Sequence, residues 1–361
     1  MSVTSRTLWL LDQLRRAVGA QADNAVRILA SSWVSAWDVV SIEWSMLVDE
    51  VLALHAQNGQ WPQPYVFNRL ARLERATAVT QQSLATLVGQ AVVTIGTGID
   101  TVVAATAAAE PEIMASQLPA RLARTAVLRY AAAVAPTALE AIALRARQQV
   151  TQILWPLSAS ATDAMRRALV VGIAVGDNPK TAARDMLRRV EGNFNGGAAR
   201  AINVARTEML DAYRATSGQV HADNDDVLDG WQWIATLDPR TCPSCWAMHG
   251  TVHPLEQPGP WDHQQGRCAR VPKLKSWVEL GIPGQEEPDL TPDARARFAE
   301  LSVADQLQVM GPARLALLNA GSVNFSDLAM LRQTPAWRPS YVPTPVRELE
   351  RLAEQRQRAG D

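Results

Sequence analysis

Between Asp23 and His55 the apolar residues Val26, Leu29, Trp33, Trp37, Val40, Trp44, Leu47, Val51 and Leu54 recur at steps of three and four. A strand shows alternate residues on each face, so this spacing predicts one continuous helix with a single apolar stripe. At 1.5 Å per residue the striped segment is roughly 50 Å long. A stripe of that length needs a partner surface along its whole extent. Three tryptophans on it demand a thick one, either a core or the interface with another protein. The regular period favours a core.

Helical spacing persists through the first half of the chain. "NGQWPQP" (Asn58 to Pro64) breaks the first helix, and a second runs to about Glu110, where "EPE" interrupts it. Within that second helix, Leu84 to Ala109 carries one charge, Asp100. The stretch is long enough to span a bilayer. Gly89, Gly96, Gly98 and several threonines keep it only mildly apolar, and Asp100 would be costly in lipid. A tightly packed helix is expected, without stable membrane insertion. Pro136 is a joint between the next helical patterns. A helix then starts from a cap at Ser160 or Thr162 and ends at Gly176; Asn178 caps its successor, with Pro179 at the first position. That successor stops at Gly192, "NFNGG" is a turn, and a last long helix runs from Ala198 into the acidic run "DNDD".

The pattern changes at Gly230. "GWQWIAT" alternates and is rich in aromatic and β-branched residues, and "GTVHPL" is a second short strand. A helical stretch from Pro292 to Met310 follows a loop, "TPAWRPSYVPTP" is an extended proline-rich linker, and "VRELERLAEQRQR" is a charged terminal helix. The expected architecture is mainly α: long N-terminal helices, then a small α+β zinc-knuckle-like domain, then an extended C-terminal tail with a short helix. The corresponding regions are 1–176, 177–275 and 276–361.

Apolar residues form 47% of the chain and charged residues 20%, which is globular chemistry rather than disorder. A net charge of −1 gives no global basic field, so any nucleic-acid contact has to be local. Arginine outnumbers lysine 32 to 3, a bias that fits a GC-rich coding sequence better than a function. Three cysteines cannot make a disulfide framework, and the charged N-terminus is not a secretory signal. The chain is expected to fold in a reducing cytoplasm.

All three cysteines fall within 27 residues. Cys242 and Cys245 form a C-x-x-C, whose tight turn aims two thiolates at one ion or makes a redox pair. After a gap of 17 residues, "WDHQQGRC" supplies His263 and Cys268. The set reads as a structural Cys₃His zinc site. The segment from Gly230 to Lys275 shows little apolar surface, so the binding energy of an ion would act as folding energy. Unliganded cysteines and a redox pair are the alternatives, the latter lacking a strand-to-helix context. His249, His253 and His263 compete as fourth ligand. His263, nearest the last cysteine, is preferred, and the other two read as surface residues. Glu256 and Asp262 are the carboxylates near enough in sequence to serve a catalytic zinc, but neither H-E-x-x-H nor H-x-E with P-C-x-x-C is present, so no catalysis is expected. Arg240, Arg267, Arg270, Lys273 and Lys275, with Trp246 and Trp261 among them, form a modest basic group suited to phosphate contact and stacking. The acidic run Asp223 to Asp229 weighs against it.

The ordered series of motifs resembles the phage Mu protein F-like minor head proteins, also called the phage head morphogenesis family. It comprises "VARTEMLDAY" with Arg206, Thr207 and Glu208, and "GWQWIATLDPRTCPSC" with Trp233, Asp238, Arg240, Thr241, Cys242 and Cys245. "HGTVHPL" with Gly250 and "HQQGRC" with His263, Arg267 and Cys268 complete it. With "GIAVGDNPKTAARDML", the similar region runs from about Gly172 to Lys275. The resemblance implies a structural minor capsid protein of a tailed phage or prophage, not an enzyme. Such a protein is made in the host cytoplasm and sits in the virion head near the portal vertex. It is associated with the portal and with capsid or scaffold proteins, in multiple copies, and acts in head assembly, DNA packaging or ejection. It also marks Arg206, Thr207, Glu208, Asp238, Arg240, Thr241 and Arg267 as a structural motif. Arg206 and Glu208, two apart on a helix, then reach different neighbours, the Asp238–Arg240 turn being one candidate. A DNA-binding zinc module, with Arg270, Lys273 and Lys275 on packaged DNA, is the alternative. A zinc hydrolase or maturation protease is less favoured, for lack of a Ser-His-Asp set. One departure stands out: Gly266 replaces the cysteine of the family's C-R-C ending. Either a ligand is lost or Cys268 preserves the site, and the position of Cys268 beside His263 favours preservation.

Overall fold

The computed structural model describes residues 3–174, 179–284, 289–334 and 337–360. The tryptophan stripe lies on one helix of 54 residues, α1 (Ser5–Asn58). Gly59, at a φ of 67°, ends it in the left-handed conformation that glycine adopts without strain. Then come α2 (Pro64–Phe67), α3 (Ala71–Ala115), α4 (Ala120–Ala133), α5 (Pro136–Leu154), α6 (Leu157–Ala174) and α7 (Pro179–Ala222). These stretches and the C-terminal region sort into two compact units. A helical unit comprises Ala20–Thr101 and Ala143–Met209. A mixed unit comprises Met1–Gly19, Val102–Ile142 and Leu210–Asp361.

In the helical unit α1 and α3 run antiparallel. Glu50 pairs with Arg72 at 3.4 Å, Glu43 pairs with Arg75 at 3.1 Å, and the Trp44 indole donates to Thr80 Oγ1 at 2.8 Å. Trp33 and Trp44 are buried, and the Trp37 ring lies 5.2 Å from Phe194, so the stripe is a core stripe. By length and composition α1 and α3 would suffice to cross a bilayer. Of the glycines of α3, Gly96 and Gly98 face the side chains of Arg147 and Met209, while nothing lies within 4 Å of where a Cβ on Gly89 would be. A Cβ on Gly98 would stand 2.1 Å from Met209 Cε, and Asp100 pairs with Arg147 at 3.1 Å.

Three expected breaks are helical. α3 passes through Pro111 to Ala115, because Ile113 and Met114 are fully buried and tertiary burial outweighs the missing N–H. "NFNGG" lies inside α7: Phe194 is fully buried, and Gly197 leaves room for Leu157 Cδ2 and Trp33, 3.1 and 3.6 Å from where its Cβ would be. α6 begins at Leu157, and Thr162, expected as a cap, instead bonds back to the Ser158 carbonyl at 2.7 Å. The expected stop at Gly176, the cap at Asn178 and the boundary at 176–177 lie outside the described residues; Pro179 is the first residue of α7.

In the mixed unit β1 (Leu228–Ile234) is the centre of a three-stranded antiparallel sheet, flanked by β2 (Val252–His253) and β3 (Ala269–Leu274). β3 has no strand signal in its residues, and its Pro272 is tolerable because the strand is at an edge. Between β1 and β2 lies the short α8 (Pro243–Met248). The expected helix from Pro292 resolves into α9 (Ala294–Ala299) and α10 (Val303–Asn319). The expected proline-rich linker is instead β5 (Trp337–Pro343), paired antiparallel with β4 (Ala329–Thr334), with Leu331 opposite Tyr341 and Arg332 opposite Ser340. In a two-stranded ribbon every proline has an open side, so Pro339 and Pro343 are accommodated. The last helix is α11 (Val346–Gly360). Contrary to expectation, the cysteine segment has ample apolar surface, since Trp231, Trp233, Trp246 and Met248 are buried, and the C-terminal elements pack on it. Phe298, Met310, Leu328 and Leu349 share one core with Trp231, Trp233, Trp246, Cys245 and Cys268.

Candidate metal centre

Cys242 is the residue before α8, and Pro243 opens that helix at the position where a missing N–H costs nothing. One turn on, Cys245 points back at it. The turn "HQQG" brings in the third donor: the Gly266 N–H bonds the His263 carbonyl at 3.0 Å, with Gln265 at a φ of 59°. The ligand atoms of Cys242, Cys245 and His263 lie within 4.8 Å of one another. Ligand atoms around a tetrahedral zinc stand about 3.5–3.8 Å apart, so the spacing and the soft donors suit that ion. His263 Nδ1 lies 2.7 Å from the Gln264 carbonyl, which leaves Nε2 as the other ring nitrogen for an ion and fixes the ring. Cys268 is buried and interacts with Cys245, but it is not among the three residues whose ligand atoms all lie within 4.8 Å of one another. Hydrogen bonding to Cys245 and His263 lowers the Cys242 thiol to about 4. The same contact with Cys242 raises His263 to about 9, and contacts with the other two thiols push Cys245 up.

The competing histidines are engaged elsewhere, and both are buried rather than on the surface. His249 Nδ1 accepts the Ala235 N–H at 3.0 Å, so its Nε2–H faces the Pro292 carbonyl at 3.0 Å. Burial lowers it to about 4. His253 stacks on Trp231 at 4.4 Å and bonds Thr251 Oγ1.

Two polar clamps close the loop that carries these donors. Arg267 grips Asp238 with two bonds of 2.6 and 2.7 Å. Thr241 Oγ1 and the Arg240 N–H add bonds of 3.0 Å each to the same carboxylate. Burial works against the Asp238 charge, but these bonds win and hold it at about 2. Four of the expected motif residues therefore meet at one carboxylate. Of the others, Arg206 pairs with Asp23 at 2.6 Å, while Thr207 and Glu208 are buried.

The second clamp was not read from the sequence. Arg214 on α7 is buried and pairs with the fully buried Asp262 at 2.7 Å. It also donates to the carbonyls of Gly266 and Cys268, and Asp262 accepts the Cys268 N–H at 3.3 Å. Asp211 lies between Arg214 and Arg338 of β5, 2.8 and 2.7 Å away. The only hint in sequence was the "DAYR" spacing of three on a helix, which by itself reads as an ordinary surface pair. Asp262 is thus held as an ion-pair partner, and Glu256 is exposed.

The expected nucleic-acid residues are placed differently. Arg270 is buried: Nε faces His221 Nδ1 at 3.0 Å, and the other nitrogens bond the Gln257 and Leu255 carbonyls at 2.9 and 3.0 Å. Its guanidinium stacks 4.7 Å over Trp231, and His221 in turn meets the buried Glu110 at 3.1 Å. Arg270 is a core arginine, enclosed away from any phosphate. Lys275 bonds the Asp226 carbonyl, Lys273 lies 4.0 Å from Asp229, and Trp246 is fully buried.

No curated protein and no solved structure matches the chain. A family model, described as phage Mu protein F like protein, does match, over residues 163–270, a stretch that holds Cys242, Cys245, His263 and Cys268 and both clamp carboxylates. This stretch of the chain is similar to the phage Mu protein F family.

Proposed function

We propose that the chain is a structural head morphogenesis protein of a tailed phage or prophage, whose Mu F-like stretch is fastened by a structural zinc ion. The observation that carries this reading is the coincidence of the matched residues 163–270 with the clustered donors Cys242, Cys245 and His263. Cys268 completes the ligand set. When bound, the ion ties the start of the loop to its end; the Asp238–Arg267 and Arg214–Asp262 pairs hold that loop around it. The chain acts by association: with the portal, with capsid or scaffold protein, and inside the virion head, where packaged DNA is a neighbour. The structural contacts of His249, His253, Asp238 and Asp262 support a non-catalytic reading.

Two experiments test this. In a lysate of the phage that encodes it, the chain should sediment with heads, and deletion of its gene should abolish DNA-filled heads. Recovery only in the soluble fraction, or filled heads without the gene, overturns the reading. Metal analysis of purified protein should find one zinc per chain, and none in Cys242→Ser. Equal zinc in both refutes the fastening.

A further inference from the structure

The turn that leads to the last cysteine reads Gly266-Arg267-Cys268. The geometry says why position 266 has no side chain. A Cβ there would stand 2.0 Å from Asp262 Oδ2 and 2.2 Å from its Cγ. The obstacle is not the mobile tip of a long side chain. Asp262 is fully buried, and its carboxylate is fixed by Arg214 and by the Cys268 N–H. The same pair controls the backbone that leads to Cys268, since Arg214 also binds the carbonyls of Gly266 and Cys268.

We infer that Asp262, acting with Arg214, is a positioning residue for the metal centre: its carboxylate takes the place of a side chain at 266 and sets Cys268 as the sulfur that the second half of the site contributes. The inference rests on the metal reading above, and it has two separable parts. The packing part concerns positions 262 and 266 alone: a carboxylate and a Cβ exclude each other. The metal part concerns Cys268, whose backbone is fixed on both sides by the pair while its thiol lies against Cys245.

The full chain is titrated with cobalt(II), and its zinc affinity is measured against a chromophoric chelator. Wild type should show the charge-transfer absorption of three thiolates, and Cys268→Ser should lose about a third of it. Asp262→Ala should keep the three-thiolate spectrum and bind zinc at least ~10-fold more weakly, the usual scale for an outer partner of a ligand. Unchanged zinc affinity in a folded Asp262→Ala overturns the positioning role, as does an unchanged spectrum in Cys268→Ser. The packing part is read separately by thermal unfolding without metal. Gly266→Ala should lower the melting temperature in wild type and have little effect in Asp262→Ala. An equal drop in both backgrounds overturns it. Asp262→Ser, which keeps a polar atom for Arg214, serves in the same cycle if Asp262→Ala does not fold. A wild type that takes up no cobalt refutes the metal reading and the positioning role together, while the thermal cycle still decides the packing part.

Discussion

Asp238 shows how much one side chain can hold here. It accepts from Arg267, Thr241 and the Arg240 backbone, and so joins the residues before Cys242 to the residue before Cys268. Its carboxyl sits at about 2, below the roughly 3.9 of an unfolded aspartate. A depressed folded value means that the unfolded state binds the proton first as pH falls. The stabilisation is therefore complete above about pH 4 and is lost as pH drops towards 2. Asp238→Ala should cost about 1–3 kcal/mol at neutral pH in urea unfolding, and should remove that acid-limb slope. An unchanged slope would assign it to another carboxylate. Glycines need the same residue-level distinction. Gly98 meets the flexible end of Met209, which can rotate away, so Gly98→Ala should change stability by less than about 1 kcal/mol by the same unfolding measurement. The grouping of Cys242, Cys245 and His263 was legible in the sequence because C-x-x-C is a local spacing and His263 stands out as the histidine nearest the last cysteine. The clamp of Arg214 on Asp262 was not, because the partners lie 48 residues apart and nothing in either's neighbourhood points to the other.

At the level of elements, the helices of the first half could be read because each buries a stripe whose period survives along the chain. The errors cluster where glycine or proline suggested a stop and burial overrode it, as at Pro111 and Gly197. β4 and β5 were missed for a related reason. A ribbon with prolines on open edges has little propensity signal, and what fixes it is remote: Arg338 reaches Asp211, and the Tyr341 N–H bonds the Trp261 carbonyl at 2.6 Å. By its sequence the terminal helix is a charged element of an extended tail, which as a mere tether would pack on nothing. Its Leu349 is fully buried in the core that also holds Cys245 and Cys268. Leu349→Ala should cost about 2–5 kcal/mol, the range for a truncated core leucine, whereas a tether would show no change. Near-ultraviolet dichroism of the buried tryptophans should report the loss in the same titration.

For the whole molecule, charge and metal make separate claims. With a net charge of −1, and with Arg270 enclosed, the chain offers DNA no strong field. In a gel-shift titration at physiological salt it should not bind duplex DNA; affinity that falls steeply with added salt would restore the binding-module reading. The metal claim concerns the mixed unit, whose loops around Cys242 and His263 have three short strands for a frame. An ion that binds only the folded state stabilises it by about 4 kcal/mol when free zinc is 1,000 times the dissociation constant. A chelator should therefore lower the melting temperature of wild type, and added zinc should restore it while magnesium, a hard cation that prefers oxygen, should not. The control is Cys242→Ser, which should melt at one temperature with and without chelator. If the chelator lowers both proteins equally, it acts through something other than the cysteine centre. If it lowers neither, the clamps at Asp238 and Asp262 hold the loop without an ion.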